Sequence, residues 1–314
     1  MKYKYLFGPV PSRRLGISLG VDLVPYKTCT LDCVYCECGG TTKLTIKRNE
    51  YISVADIKAE IKDYLSTDPH LDFITFSGGG EPTLNSGIGE ITNFIKDNFP
   101  KYKIALLTNG TLFYQKELRH EVSRMDLIIP SLDAVNQDVF EKLNRPQSSL
   151  HNLSIVQNLI QLRKEFEGQI WLEIFIVPGL NDAESELEAL NKTILQINPD
   201  KVQLNTLDRP STEDWVKAAT RERLEQIAGY FHFSNVEIVA KSISRKKIAS
   251  FDQDIRDNII ATLKRRPCTA EDLAQILNHH INEINKYLDS LLHENIISTE
   301  TRDRGVFLKM VENF

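Results

Sequence analysis

Phe73-Ile-Thr-Phe-Ser-Gly-Gly-Gly-Glu-Pro82 sets a short strand-forming run directly against a glycine-rich turn, and helical spacing resumes over Ile88 to Phe99. A strand that breaks on glycines and gives way to an amphipathic helix is the repeating unit of a parallel α/β sheet. Upstream, Ser53-Val-Ala-Asp56 reads as a capping box that opens a helix to about Leu65, and Ile17 to Val24 alternates as a strand before Pro25. Downstream, the spacing predicts strands over Ile104–Leu107, Leu127–Ser131, Ile170–Val177 and Lys201–Leu204. Helices are predicted over Tyr114–Val122, Gln137–Leu143, Leu150–Glu165 and Ala183–Gln196. About six such units joined by right-handed crossovers make an α/β fold of partial (β/α)6 barrel type, with ligands at the C-terminal strand ends.

The 314 residues are 41% hydrophobic and 26% charged, which is the composition of a globular protein. That length suits a large domain, placed at residues 1–249, and a small one at 250–314. No apolar run approaches the roughly 20 residues needed to cross a bilayer, and the start lacks a signal-peptide layout, so a cytoplasmic protein with no membrane contact is expected. Beyond Ser250 the pattern changes to helices over Asp252–Leu263, Ala270–Leu277 capped by Thr269, and Asn282–His293, with a hairpin at Asp303-Arg-Gly305. Three helices and a hairpin read as a winged helix-turn-helix domain. From residue 241 onward there are 12 Lys and Arg against 11 Asp and Glu, and the third helix carries Glu283 and Asp289. Specific duplex DNA binding, which needs phosphate-neutralising charge, is therefore not expected of it. A docking or substrate-presenting role is.

The net charge of −5 leaves no overall footprint for nucleic acid. Four of the five cysteines, Cys29, Cys33, Cys36 and Cys38, crowd into ten residues, whereas Cys268 stands alone and reads as core packing. Such crowding in a large chain favours metal over disulfides. Cys29-Thr-Leu-Asp-Cys33-Val-Tyr-Cys36 is CxxxCxxC: three thiolates on one loop can hold three irons of a 4Fe-4S cluster and leave the fourth iron open. Zinc ribbons need a second separated cysteine pair, and none exists here. Cys38 reads as a hydrogen donor, a transient ligand, a redox-sensitive bystander or an ordinary loop thiol.

This cysteine pattern, with aromatic Tyr35 before its third member, resembles the radical S-adenosylmethionine (SAM) superfamily. The resemblance spans Gly8 to Val239. It implies that Cys29, Cys33 and Cys36 are catalytic as the metal ligands, with Tyr35 beside the cofactor. Gly78, Gly79, Gly80 and Glu81 resemble the motif that receives the methionine amino group. Asn109 stands at the next strand end as a further cofactor-binding candidate, Ser131 and Asp133 occupy the fourth-strand position that usually contacts the SAM ribose or carboxylate, and Val177 stands where the fifth strand borders adenine. In that superfamily a 4Fe-4S cluster, reduced by a donor such as flavodoxin or ferredoxin, cleaves SAM to a 5'-deoxyadenosyl radical.

More narrowly, Phe7-Gly-Pro-Val-Pro-Ser-Arg13-Arg14-Leu-Gly16, Val21-Asp-Leu-Val-Pro25 and Asn205-Thr-Leu-Asp-Arg209-Pro210 look like a little-characterised microbial family grouped with the wyosine-base synthases of tRNA. Those synthases have additional N-terminal cysteines for a second cluster, and this chain has only Cys38 and Cys268 to spare, so their activity is not carried over. Arg13, Arg14 and Arg209 could clamp an anionic substrate through forked hydrogen bonds, or form ion pairs with acidic neighbours such as Asp208. Glu173 and Asn205 are candidates for the pocket wall. The substrate is left open between RNA, as in tRNA, and a protein side chain. An iron-sulfur redox-sensing regulator and a glycyl-radical-enzyme activase are the competing functions.

Overall fold

The computed structural model describes residues 3–12, 14–208, 211–239, 255–277, 279 and 281–311. In chain order the first part contains β1 (Leu6–Ser12), β2 (Gly16–Val21), β3 (Thr28–Cys29), β4 (Lys43–Leu44), α1 (Val54–Leu65), β5 (Phe73–Phe76), α2 (Ile88–Asn98), β6 (Ile104–Thr108) and α3 (Lys116–Glu121). It continues through β7 (Leu127–Pro130), α4 (Gln137–Asn144), α5 (Asn152–Glu165), β8 (Gln169–Phe175), α6 (Glu184–Ile197), β9 (Lys201–Asn205), α7 (Arg221–Tyr230) and β10 (Val236–Ile238). One eight-stranded sheet runs in the order β1-β2-β5-β6-β7-β8-β9-β10. Only the β1–β2 pairing is antiparallel. The expected α/β class with a partial barrel of parallel strands is what forms.

Side chains alternate across these strands, as the two-residue period of a strand requires. Ile74 and Phe76, Ile104 and Leu106, Leu172 and Ile174, and Val202 and Leu204 join the large apolar core together with the helices. The intervening residues line the inner face. Toward the strand beginnings that face is closed by Leu15, Ala105, Leu127 and Ile129, with Phe73, Leu107 and Trp171 packed against them. Toward the strand ends it turns polar at Thr75, Ser131, Glu173, Gln203 and Asn205. An apolar floor beneath a polar mouth places the chemistry at the C-terminal strand ends.

Several elements differ from the expectation for identifiable reasons. β1 contains Pro9 and Pro11, which weaken a strand reading, yet it lies at the sheet edge, where a strand tolerates proline. β8 ends at Phe175 because the Val177 N–H is taken by Asn181 Oδ1 at 2.8 Å. α7 and β10, which follow β9, were not anticipated. The Ser53 cap is present, its side chain accepting from the Asp56 N–H at 3.3 Å.

The C-terminal residues form α8 (Ile255–Arg265), β11 (Cys268–Thr269), α9 (Ala270–Leu277), α10 (Ile281–His293), β12 (Ile297–Arg302) and β13 (Gly305–Met310). Their antiparallel sheet has the order β11-β13-β12. They bury a separate apolar cluster around Ile259, Leu273, Ile284 and Leu291, in which Cys268 is fully enclosed. Thr269 and Asp272 cap α9 reciprocally, at 3.1 and 3.2 Å. The expected boundary at 249/250 lies outside the described residues. Val10 packs against this C-terminal cluster, so the unit is seated on the N-terminal hairpin. Among the described residues no helix is long and apolar enough to cross a membrane.

Candidate active site

The cysteine loop leaves the sheet after β2 and is fastened at both ends. At its start, β3 pairs in parallel with β4, and the Lys27 N–H donates to the Gly79 carbonyl at 2.9 Å. Its middle hangs on the end of α4. That helix stops because Pro146 disfavours helical geometry in the residue before it, and Arg145 turns to φ 43°. The last carbonyls of a helix lack partners within it; here Leu143 and Asn144 accept from the Val34 and Asp32 N–H groups, both at 3.0 Å.

Each of the three expected ligands faces a donor from a different part of the chain. Asn109 Nδ2 lies 3.6 Å from Cys29 Sγ, Asn144 Nδ2 lies 3.4 Å from Cys33 Sγ, and Lys27 Nζ lies 3.1 Å from Cys36 Sγ. Burial pushes the Cys29 thiol up to about 12, helped by the nearby Glu81 charge, and burial raises Cys33 as well. The Cys36 thiol is brought down to about 6, first by a hydrogen bond from Cys38 and then by the Lys27 ammonium. Among the described residues no three His, Cys, Asp or Glu side chains converge as they would on a single metal ion. Thiolates that take separate corners of a cluster need not converge. A half-buried trio of thiols, each with an N–H donor, suits an iron-sulfur cluster, which supplies the positive charge that burial otherwise denies to thiolates.

Behind the cysteines, the Gly78–Gly80 turn follows β5. Gly78 has φ 142°, and a Cβ there would overlap Asp22 Oδ1; a Cβ on Gly80 would overlap the Thr28 carbonyl. Only glycine lets this turn lie against the stem of the cysteine loop. Glu81 does not face the pocket. Its buried carboxylate accepts from the Thr83 N–H and O–H, the Thr108 O–H and the Asn109 N–H, at 2.6 to 3.1 Å. It thereby joins the glycine turn to the end of β6 and sets Asn109 in place beside Cys29.

Asp133 is 4% exposed. It accepts from the Tyr35 O–H, from Asn144 Nδ2 at 2.9 Å and from the Phe175 N–H at 2.8 Å. Burial raises its carboxyl to about 6. Tyr35 stacks on Phe175 with ring centroids 4.0 Å apart, and Val177 packs in the same small apolar cluster. These contacts clamp the cysteine loop to the end of β8. A pocket between them is lined by Leu31, Tyr35, Asn109, Ser131, Asp133 and Asn144, among others. Two buried oxygens on its wall, Asn144 Oδ1 and Asn152 Oδ1, have no hydrogen-bond partner. Such atoms fit a ligand that brings N–H or O–H donors, as SAM would.

On the inner face, Arg14 Nη1 stands 2.7 Å from Glu173 Oε2 as a charge contact without hydrogen-bond geometry. Asn205 Nδ2 donates to Glu173 Oε1 at 2.8 Å. The structure thus brings together Arg14, Glu173 and Asn205, with Glu173 paired across the sheet to Ser131 at the pocket. Asp208, the acid suggested for these arginines, is reached by Arg304 Nε at 3.5 Å. Arg13 and Arg209 lie outside the described residues.

Sequence reasoning did not single out Lys27, Asn144 or Asp22. The run Asn144-Arg145-Pro146 at a predicted helix end carried a usable signal for Asn144. Asp22 lies in the quoted Val21–Pro25 stretch without a role having been read for it, and nothing local marks Lys27.

Residues 23–190 match the family model described as the Radical SAM superfamily. A UPF0026 protein of Helicobacter pylori is 33% identical over 297 residues, covering 93% of each chain. A Brachyspira hyodysenteriae protein named GTPase Obg is 35% identical over 301 residues, 96% of this chain but only 44% of the relative, so the chain spans less than half of that protein. Among solved structures, a radical SAM methyltransferase from Sphaerobacter thermophilus shares the fold with a TM-score of 0.57 at 16% identity, over 70% of this chain and 65% of that one. With its cysteine loop and glycine turn set at the mouth of a partial barrel, this chain belongs to the radical SAM superfamily, whose members use a 4Fe-4S cluster and SAM.

Proposed function

We propose that the protein is a radical SAM enzyme in which Cys29, Cys33 and Cys36 hold the cluster and the Tyr35–Asn144 pocket receives SAM. The observation that carries this reading is the matching of each half-buried cysteine sulfur with its own donor, beside a pocket whose wall holds two unpartnered amide oxygens. A cluster held by Cys29, Cys33 and Cys36 and reduced by a donor such as flavodoxin or ferredoxin would supply the electron that cleaves SAM to methionine and a 5'-deoxyadenosyl radical. The chain's own contribution is confinement: an apolar floor under the inner face and a polar mouth hold the reacting groups together and limit side reactions. Arg14, Glu173 and Asn205 form the substrate side of that mouth. Gly78–Gly80 provide the backbone for the methionine end, with Ser131 and Val177 at the strand ends facing the nucleoside.

The C-terminal residues, read as a winged helix-turn-helix domain from residue 250, are assigned to presenting a tRNA or protein substrate. Wyosine-type chemistry is not part of this proposal. Beyond the three ligands only Cys38 and the enclosed Cys268 remain, too few for a second cluster.

The test is anaerobic reconstitution, followed by assay of SAM cleavage with a strong reductant and no substrate. About four irons per chain and slow release of 5'-deoxyadenosine are expected. A cluster-loaded, reduced protein that binds no SAM would overturn the reading.

A further inference from the structure

Asp22 lies where β2 hands the chain to the cysteine loop, and its carboxylate touches two otherwise unrelated parts of the molecule. On one side it abuts the glycine turn. A Cβ on Gly78 would overlap Asp22 Oδ1, and the Gly79 backbone N–H is close enough to favour the ionised carboxylate. On the other side it meets the C-terminal unit. Arg265, in the last turn of α8, places Nη2 at 2.8 Å and Nε at 3.2 Å from Asp22 Oδ2. The two side chains are 18% and 19% exposed. The guanidinium also lies over the Phe7 ring, 4.6 Å from its centroid, and donates through Nη1 to the Ala261 carbonyl at 3.0 Å. The Phe7 ring and the Ala261 carbonyl thus fix one arginine on one carboxylate.

We propose that Asp22 is a positioning residue for the Gly78–Gly80 turn and that Arg265 holds it there, so that seating of the C-terminal unit and SAM binding are energetically coupled. The proposal rests on reading that turn as part of the SAM site. The physical ground is the cost of a half-freed carboxylate. Burial raises Asp22 above its ordinary range, and Arg265 is the main counterweight. Without the guanidinium, the carboxylate must reach water or take a proton, and either change alters its contact with Gly78 and Gly79. Coupling of this kind is reciprocal: if the seated unit favours SAM, SAM must favour the seated unit by the same factor. The C-terminal unit then acts on the reaction from behind the glycine turn, whatever else it binds.

The experiment uses the full chain, reconstituted anaerobically. Arg265→Met should keep the iron content and the circular dichroism of the parent while weakening SAM binding about tenfold. In uncoupled cleavage the KM for SAM should rise more than kcat falls, and Arg265→Lys should recover part of the loss. In the unsubstituted protein, SAM should slow hydrogen exchange in residues 255–265, and Arg265→Met should abolish that response. A parent protein that binds SAM while Arg265→Met binds it equally well, or an unsubstituted chain whose exchange in α8 ignores SAM, would overturn the coupling alone. A parent protein that binds no SAM would instead remove the functional reading beneath it.

Discussion

Lys27 Nζ stands 3.1 Å from Cys36 Sγ, on a side chain whose residue is 4% exposed and whose backbone is tied to the glycine turn through the Gly79 carbonyl. A buried ammonium beside a cluster ligand favours the more negative, reduced state of the cluster. At about 5 Å and an effective dielectric of about 20 the attraction is on the order of 3 kcal/mol per added electron. Lys27→Met should therefore retain the iron but make the cluster harder to reduce. A redox titration followed by electron paramagnetic resonance reads this directly. An unchanged midpoint potential would show that the charge is not felt at the cluster.

The ligand assignment itself is open to a simple contrast. Cys29→Ala, Cys33→Ala and Cys36→Ala should each abolish the intact cluster. Cys38→Ala combined with Cys268→Ala should leave about four irons per chain, because Cys268 is enclosed in the C-terminal core and Cys38 is not needed for the set of three. Iron analysis and visible absorbance after anaerobic reconstitution decide it, and loss of iron in the double variant would move the ligand set.

The parallel strands and the glycine turn are legible in the sequence because both are local. Apolar residues recur at the period of each element, and glycines stand where two backbones approach. Side-chain destinations are another matter. Glu81 reads as a pocket acid, yet its neighbours Thr83, Thr108 and Asn109 supply enough donors to turn it inward. Arg14 could have met Asp208, which is near Arg209 in sequence, but it meets Glu173 across the inner face of the sheet. The Arg265–Asp22 contact joins positions 243 residues apart, and no local pattern encodes such a pair. The fold follows from short-range periodicity, while the electrostatics of the site depend on which long-range partners folding brings together.

Asp133 makes a pH prediction. Burial raises its carboxyl from an ordinary value of 3.8 to about 6, so the folded state binds its proton more tightly than the unfolded chain does. Its contribution to stability is therefore fullest below the unfolded value and is lost as pH rises through about 6, on the order of 3 kcal/mol in all. Asp133→Asn removes that titration. Relative to the parent, the variant should gain stability between pH 4 and 6 and stay parallel above about 6.5. Thermal melts of both proteins across that range test it, and a stability difference that does not vary with pH would place the Asp133 titration elsewhere.

The last prediction concerns nucleic acid. In the hairpin of β12 and β13, the arginines beside the turn, Arg302 and Arg304, would be the natural phosphate contacts. Arg302 is held by Glu300 and by Asp214, the latter at 3.0 Å. Arg304 pairs with Asp272 at 2.6 Å and reaches Asp208 at 3.5 Å, with its guanidinium over the Phe307 ring. Asp208 and Asp214 belong to the segment after β9, so both arginines are engaged with that segment. Phosphate contacts supply most of the non-specific affinity for duplex DNA, and freeing these guanidinium groups would break their ion pairs with Asp272, Asp208 and Asp214. The chain of 314 residues should therefore show no tight binding to duplex DNA at physiological salt. Fluorescence anisotropy with a labelled duplex across a salt series is the measurement. Submicromolar, strongly salt-dependent binding would mean that the hairpin detaches from Asp208 and Asp214, and would favour a DNA-bound regulator over a substrate-presenting unit.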